Sequence, residues 1–221
     1  MNLLEAWAKW RPKRPPFVLR EDLDVLESAR SARVVVSHAS WRRARNAPDF
    51  CAPGDRCLHL GLLPQPFCGD LRRATIYLLL LNPGLGPHDY YGEYEVRDYR
   101  RALLQNLKQR FCGARYPFLF LDPRFAWHGG FHWWHDKLAG VIQRIKKSRD
   151  ISFAEARLFL ASRIASIELL PYHSPAFRDA GGWLRQLKSV QLARDFVREF
   201  VQPRVLRDRK STRLNSSHTI Q

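Results

Sequence analysis

The most apolar stretch of the chain, Thr75-Ile-Tyr-Leu-Leu-Leu-Leu81, does not alternate with polar residues. A run without period two predicts a strand covered on both faces by helices, here a central parallel strand. It stops at Asn82-Pro-Gly-Leu-Gly-Pro87, whose prolines and glycines force a turn at the strand's carboxyl end. Open α/β sheets place ligands there. Tyr116-Pro-Phe-Leu-Phe-Leu121 reads as a second strand closed by Asp122-Pro123, and Ser166-Ile-Glu-Leu-Leu170 as a third that ends at Pro171-Tyr-His-Ser174. Between them the apolar positions change to helical spacing. Leu103, Leu104, Leu107 and Phe111 predict a helix over about 98–111, and Trp134, Leu138, Val141, Ile142 and Ile145 predict one over about 133–147 with a basic opposite face. Ser152-Phe-Ala-Glu155 is a capping box opening a helix to about Ala165, and Leu192, Phe196, Val197 and Phe200 stripe a last helix over about 189–201.

Strands alternating with helices predict an α/β fold, a three-layer α/β/α sandwich with a central, mainly parallel sheet. Upstream of it, Pro12, Pro15 and Pro16 interrupt residues 1–32, which read as a peripheral arm with a short helix on either side. Val34–Val36 reads as a short strand, and residues 42–73, rich in Pro, Gly and Arg, as a long ordered loop. The expected division is a basic arm and irregular segment over 1–73 and an α/β domain over 74–207. From Asp208 the chain runs Asp-Arg-Lys-Ser-Thr-Arg-Leu-Asn-Ser-Ser-His, which resembles a translated sequencing-library adapter, so residues 208–221 are excluded from the fold. The domain is then expected to be truncated before its last strand or strands, leaving an open, aggregation-prone sheet edge.

The 221 residues carry 37 Lys and Arg against 21 Asp and Glu, a net charge of +16. Asp208, Arg209, Lys210 and Arg213 account for +2 of this, so +14 remains without the tail. Such a charge favours polyanionic partners, nucleic acid first, although an Arg-rich solvated surface without a ligand explains the same number. A hydrophobic content of 45% excludes a wholly disordered chain. No apolar run approaches the ~20 residues of a membrane-spanning helix, and the amino terminus lacks a basic then apolar leader, so no membrane partner and a cytoplasmic location are expected. Cys51, Cys57, Cys68 and Cys112 match no metal spacing and read as free or buried thiols. His128, His132 and His135 invite a metal, but Gly129-Gly130 interrupts a helix between them, so no metal and no cofactor are expected.

The apolar strand ending in Asn82-Pro-Gly-Leu85 resembles the uracil-DNA glycosylase superfamily, in particular its mismatch-specific thymine/uracil branch, which has such a turn in this context. Gly130-Phe-His-Trp-Trp134 is similar to a Gly-Asn-His-Phe-Trp type of segment in that branch, at a longer spacing, and the resemblance covers about 74–200. It implies a hydrolase for the N-glycosidic bond of a flipped base, needing no metal, with Asn82 holding the attacking water and Pro83, Gly84 and Leu85 lining the base pocket. The family's base-reading Asn is missing from the strand ending Pro171-Tyr-His-Ser174, and its final wedge loop does not occur before Arg207. His173 is a candidate donor to the leaving group and Asp89 a second water-activating group. Tyr90, Tyr91, Tyr172 and Ser174 are expected along the pocket, with Phe118 and Phe120 as stacking candidates. Two other readings of the same residues stand beside this one: a non-catalytic basic nucleic-acid-binding module, and a small-molecule or nucleotide hydrolase using the same cleft.

Overall fold

The computed structural model describes residues 2–11, 13–30, 35–48, 50–52, 55–176 and 182–206, so the adapter-like tail over 208–221 lies outside the described residues. Eight α-helices and five strands are named in chain order. Helix α1 (Leu3–Lys9) opens with an Asn2/Glu5 capping box, and α2 (Leu23–Arg30) follows the proline segment. Next come β1 (Val35–Val36), α3 (Trp41–Arg45), β2 (Leu58–His59), β3 (Phe67–Cys68) and β4 (Ile76–Leu80). Helices α4 (Pro87–Glu95), α5 (Arg97–Leu107), α6 (Gly129–Arg149) and α7 (Phe153–Ala161) lead to β5 (Ile164–Glu168) and α8 (Lys188–Phe196), which runs on through a π-helical turn, Val197–Val201.

Helix and strand are mixed, as an α/β reading requires, but the sheets are small. β1 pairs with β2 in parallel, and a second sheet has the order β3-β5-β4. β4 runs parallel to β5 from Ile76 opposite Ile164 to Leu80 opposite Glu168, whereas β3 is antiparallel to β5. The expected central strand is therefore β5, whose five residues are all buried, and not β4. β4 pairs on one side only among the described residues, and Ile76, Leu79 and Leu81 stand 43%, 58% and 56% exposed. A non-alternating apolar run reports apolar side chains on both faces. It says nothing about which edge is paired.

Side chains of β5 alternate between two cores. Ile164 joins Phe118, Phe120, Trp134, Leu138 and Ile142, while Ala165 and Ile167 join Leu3, Trp7, Leu192 and Phe196 of α1 and α8. Residues 1–32 are not peripheral, because Phe17 enters the first core and Leu3 and Trp7 the second; Leu63 and Cys68 join the first and Phe67 and Leu71 the second from the segment that follows. The expected loop over 42–73 contains α3, β2 and β3, and its residues 58–69 are buried throughout. The expected strand over 116–121 is instead an extended turn and a 3₁₀ segment, Leu119–Leu121. Its Phe and Leu residues fill the first core from a loop without joining a ladder.

Two helix boundaries moved for identifiable reasons. α6 starts at Gly129, four residues before the expected start, because the His128 ring caps it by accepting from the Gly130 N–H at 3.0 Å. The Ser152 capping box forms as expected, with Glu155 answering it, but α7 ends at Ala161 because the chain must enter β5 at Ile164.

Candidate active site

The parallel strands β4 and β5 deliver their carboxyl ends to the same side of the sheet. There the Asn82 turn, the start of α4 and the start of α6 enclose a cavity of about 560 Å³. Its lining includes Asn82, Pro83, Gly84, Leu85, Asp89, Phe120 and His173 of the expected set. It also includes Trp133 and Trp134, a pair that suits base stacking or core packing, and His88, His128, Gln65 and Glu168, which were not expected there.

Asn82 is half-buried, with its amide NH₂ donating to Ser174 Oγ at 2.8 Å and to Pro83 O at 2.9 Å. Both donor hydrogens are thereby committed, and the side-chain oxygen is the acceptor left for a water in the cavity. Ser174 Oγ in turn donates to Ala176 O at 3.0 Å, so Ser174 holds Asn82 from outside the cavity lining.

His173 is buried, and its backbone joins β2 through His59 N–H to His173 O at 2.8 Å. Nδ1 lies 2.8 Å from Gly84 O, which only accepts, so Nδ1 carries the ring proton and Nε2 presents a lone pair. That Nε2 makes no hydrogen bond of ordinary geometry; the backbone of Leu63 as well as that of Gly84 favours the protonated ring, but desolvation is the larger effect and holds the imidazole below its ordinary pKa. In this tautomer the lone pair of His173 is on Nε2 and the ring proton on Nδ1.

Asp89 is the third buried member, and its oxygens are already engaged. Oδ2 accepts from Gly86 N–H at 2.7 Å and lies 3.3 Å from His88 Nε2, while Oδ1 lies 3.4 Å from His128 Nε2. Burial would raise its pKa, but His128 and the charges of the neighbouring imidazoles outweigh this and leave it lowered. The carboxylate thus lies between two imidazoles and the start of α4. His88 lies in a cradle of two glycines, since a Cβ at Gly86 or Gly129 would fall within 2.3 Å of its ring. His128 stacks on Tyr99 at 4.5 Å.

One ligating atom each from His88, Asp89 and His128 lie within 4.8 Å of one another, a grouping that calls for a metal test. In the neutral His128 ring, Nδ1 accepts the Gly130 N–H, so the proton sits on Nε2, the atom facing Asp89. A metal ligand needs a bare nitrogen, and this donor set does not fit a cation in the conformation it adopts. His132 and His135 lie along α6 and do not join this group.

Glu168 ends β5, and its own N–H donates to Pro66 O at 2.9 Å. Its side chain is 7% exposed, Oε2 has no hydrogen-bond partner, and burial pushes the carboxyl up to about 8. The signal for it in sequence was a single charged residue inside the apolar run Ile164–Leu170.

Besides Ser174, four expected pocket residues lie elsewhere. Tyr90 is buried against Ala44 and Leu62 with its hydroxyl 3.3 Å from His59 Nδ1, because a residue one step beyond Asp89 on α4 points about 100° away. Tyr91 is 44% exposed against Trp41 and Trp127. Phe118 is fully buried edge-on to Trp134 at 4.9 Å, in the core behind the cavity. Tyr172 is a fully buried tie, donating to Asp22 Oδ2 at 2.6 Å and accepting from Leu19 N–H at 3.2 Å.

Among the described residues no helix is long and apolar enough to cross a membrane. Comparison of the chain with protein-family models, curated proteins and solved structures finds no match in any of the three.

Proposed function

We propose that the cavity at the ends of β4 and β5 hydrolyses the N-glycosidic bond of a base flipped out of DNA. The observation that carries this reading is that two residues of one cavity lining are Asn82, whose amide NH₂ is fixed by Ser174 and Pro83, and His173, whose Nε2 is buried without a hydrogen-bond partner. Asn82 accepts one hydrogen of a water, and His173 Nε2 takes the other proton as the water oxygen bonds to the anomeric carbon. The C–N bond breaks with its electron pair going to the base, which leaves as an anion. Nothing has to be supplied beyond water and its positioning.

Several features support the substrate class. The cavity wall is aromatic where a base would stack, with Phe120, Trp133 and Trp134, and its volume lies in the ordinary range for a small-molecule site. Trp133 stands 49% exposed at the rim with Lys137 above its ring at 5.8 Å, and the outer face of α6 carries exposed Arg144, Lys146 and Lys147. Such a combination suits a phosphate backbone beside an unstacked base. The fold on this reading is the three-layer sandwich, with β4 as a strand that takes a further neighbour.

Asn82→Ala in the full chain is expected to cut single-turnover base release from uracil- or mismatch-bearing duplexes by about 100-fold or more, with DNA affinity little changed. An unchanged rate would refute the assignment. Salt-steep DNA binding by the wild type with no abasic product would replace it by the non-catalytic binding module.

A further inference from the structure

We propose that Glu168 is the specificity residue of this site and reads an oxo-base, pairing its carboxyl with an N–H and the adjacent C=O of the ring held in the cavity. The inference rests on the cavity being a base pocket, and it goes beyond that reading by naming the reader and the edge read. The backbone of Glu168 is held on both sides. Its N–H donates to Pro66 O at 2.9 Å, and the next residue, Leu169, donates to Leu80 O at 3.0 Å. Two places upstream from a β residue lies the same face, and along β5 that face is Ile164, Ser166, Glu168, with Ile164 in the core of Phe120 and Trp134. The side chain therefore emerges towards the aromatic wall of the cavity. It reaches there with Oε2 buried and unpartnered, although a buried carboxyl without a partner is costly and an aliphatic residue would satisfy the strand. A ligand is what this atom lacks.

The protonation state selects the edge. Burial leaves the carboxyl neutral at pH 7, so it offers one O–H donor beside one C=O acceptor, whereas a carboxylate offers acceptors only. An N–H next to a C=O complements the neutral form. The same O–H meets the carbonyl oxygen on which negative charge grows as the base departs, so the contact strengthens as the C–N bond breaks. The other titratable groups around it are His173, Asp89, His88 and His128 on the cavity wall and the Cys68 thiol of β3. Desolvation lowers His88 and His173, Asp89 is lowered too, and burial raises Cys68 to about 12, so these four do not titrate between pH 7 and 9.

The test is single-turnover release from DNA carrying uracil or hypoxanthine, between pH 6 and 9, with Glu168→Gln and Glu168→Ala beside the wild type. Gln keeps one donor beside one acceptor. It is expected to stay within about threefold of wild type at pH 7 and to lose the wild type's fall in rate above about pH 8, while Ala is expected to lose about 100-fold. Wild-type release from Ala, or an alkaline fall persisting in Gln, overturns the inference and leaves the glycosylase reading standing. If no variant releases a base, quenching of Trp133 and Trp134 fluorescence by free uracil or hypoxanthine decides separately. Saturable quenching in wild type and Gln but not Ala upholds the reader while the hydrolytic reading falls. Quenching indifferent to Glu168, or none, overturns the reader as well.

Discussion

Glu168→Gln also has a consequence for folding that needs no substrate. Burial raises this carboxyl from an ordinary 4.5 to about 8. In the unfolded chain it ionises near pH 4.5, whereas the folded chain holds its proton until about pH 8. Across that window the native state binds more protons, so stability falls as pH rises, and it stops falling once both states are ionised. Each pH unit is worth about 1.36 kcal/mol, which makes the loss about 3 kcal/mol by pH 7 and about 5 kcal/mol beyond pH 8. Gln matches the neutral acid in shape and polarity and does not titrate. The pH-independent cost of a polar group in this cavity is thus shared by wild type and variant. Urea titrations at pH 5, 6, 7 and 8 should show the variant near wild type at pH 5 and about 3 kcal/mol more stable at pH 7, with unchanged m-values. For a chain of this length that corresponds to a melting temperature roughly 6–12 °C higher at pH 7. Parallel stability curves for the two proteins would refute the claim that Glu168 is buried uncharged and alone.

Two further substitutions test the scaffold. Tyr172→Phe removes the hydroxyl that donates to Asp22 Oδ2 at 2.6 Å and accepts from Leu19 N–H at 3.2 Å, leaving a buried N–H and a carboxylate oxygen unpaired. The expected loss is about 3 kcal/mol by denaturant titration, and a loss below about 1 kcal/mol would show that the tie to Asp22 is not needed. Gly69→Ala places a methyl 2.6 Å from the Ile164 carbonyl at a φ of +92°, where neither backbone can yield, and is expected to cost more than about 2 kcal/mol. A calorimetric melting temperature within about 1 °C of wild type would contradict that packing.

Local sequence decided the elements whose signals are local. The Ser152/Glu155 capping box and the apolar stripe from Trp134 to Ile145 depend on residues three and four apart, and α7 and α6 are found where those residues place them. The strand before Asn82 and the turn after it were legible for the same reason, and a cavity lies at that turn. Strand position was not. Whether Ile76–Leu80 is central or at an edge depends on pairings with residues 164–168, some 88 positions away, and hydrophobicity is the same in either case. Nor did the aromatic run over 116–121 distinguish a strand from a core-filling loop, because both bury Phe118 and Phe120.

The site divides along the same line. Asn82, Pro83, Gly84 and Leu85 were legible because one turn carries them, and His173 because it follows a strand end. Their chemistry came from contacts across the fold. Gly84 O sets the His173 tautomer, Ser174 commits the Asn82 amide, and the α4 and α6 amino termini bring Asp89, His88 and His128 together. Glu168 is the clearest case. In sequence it is one charge in an apolar strand, and only the tertiary structure shows it lining the cavity with Phe120 and Trp134, its Oε2 buried without a hydrogen-bond partner. Side-chain direction and burial are properties of three-dimensional packing, and a protonation state follows from burial, so neither is written in the local pattern of residues.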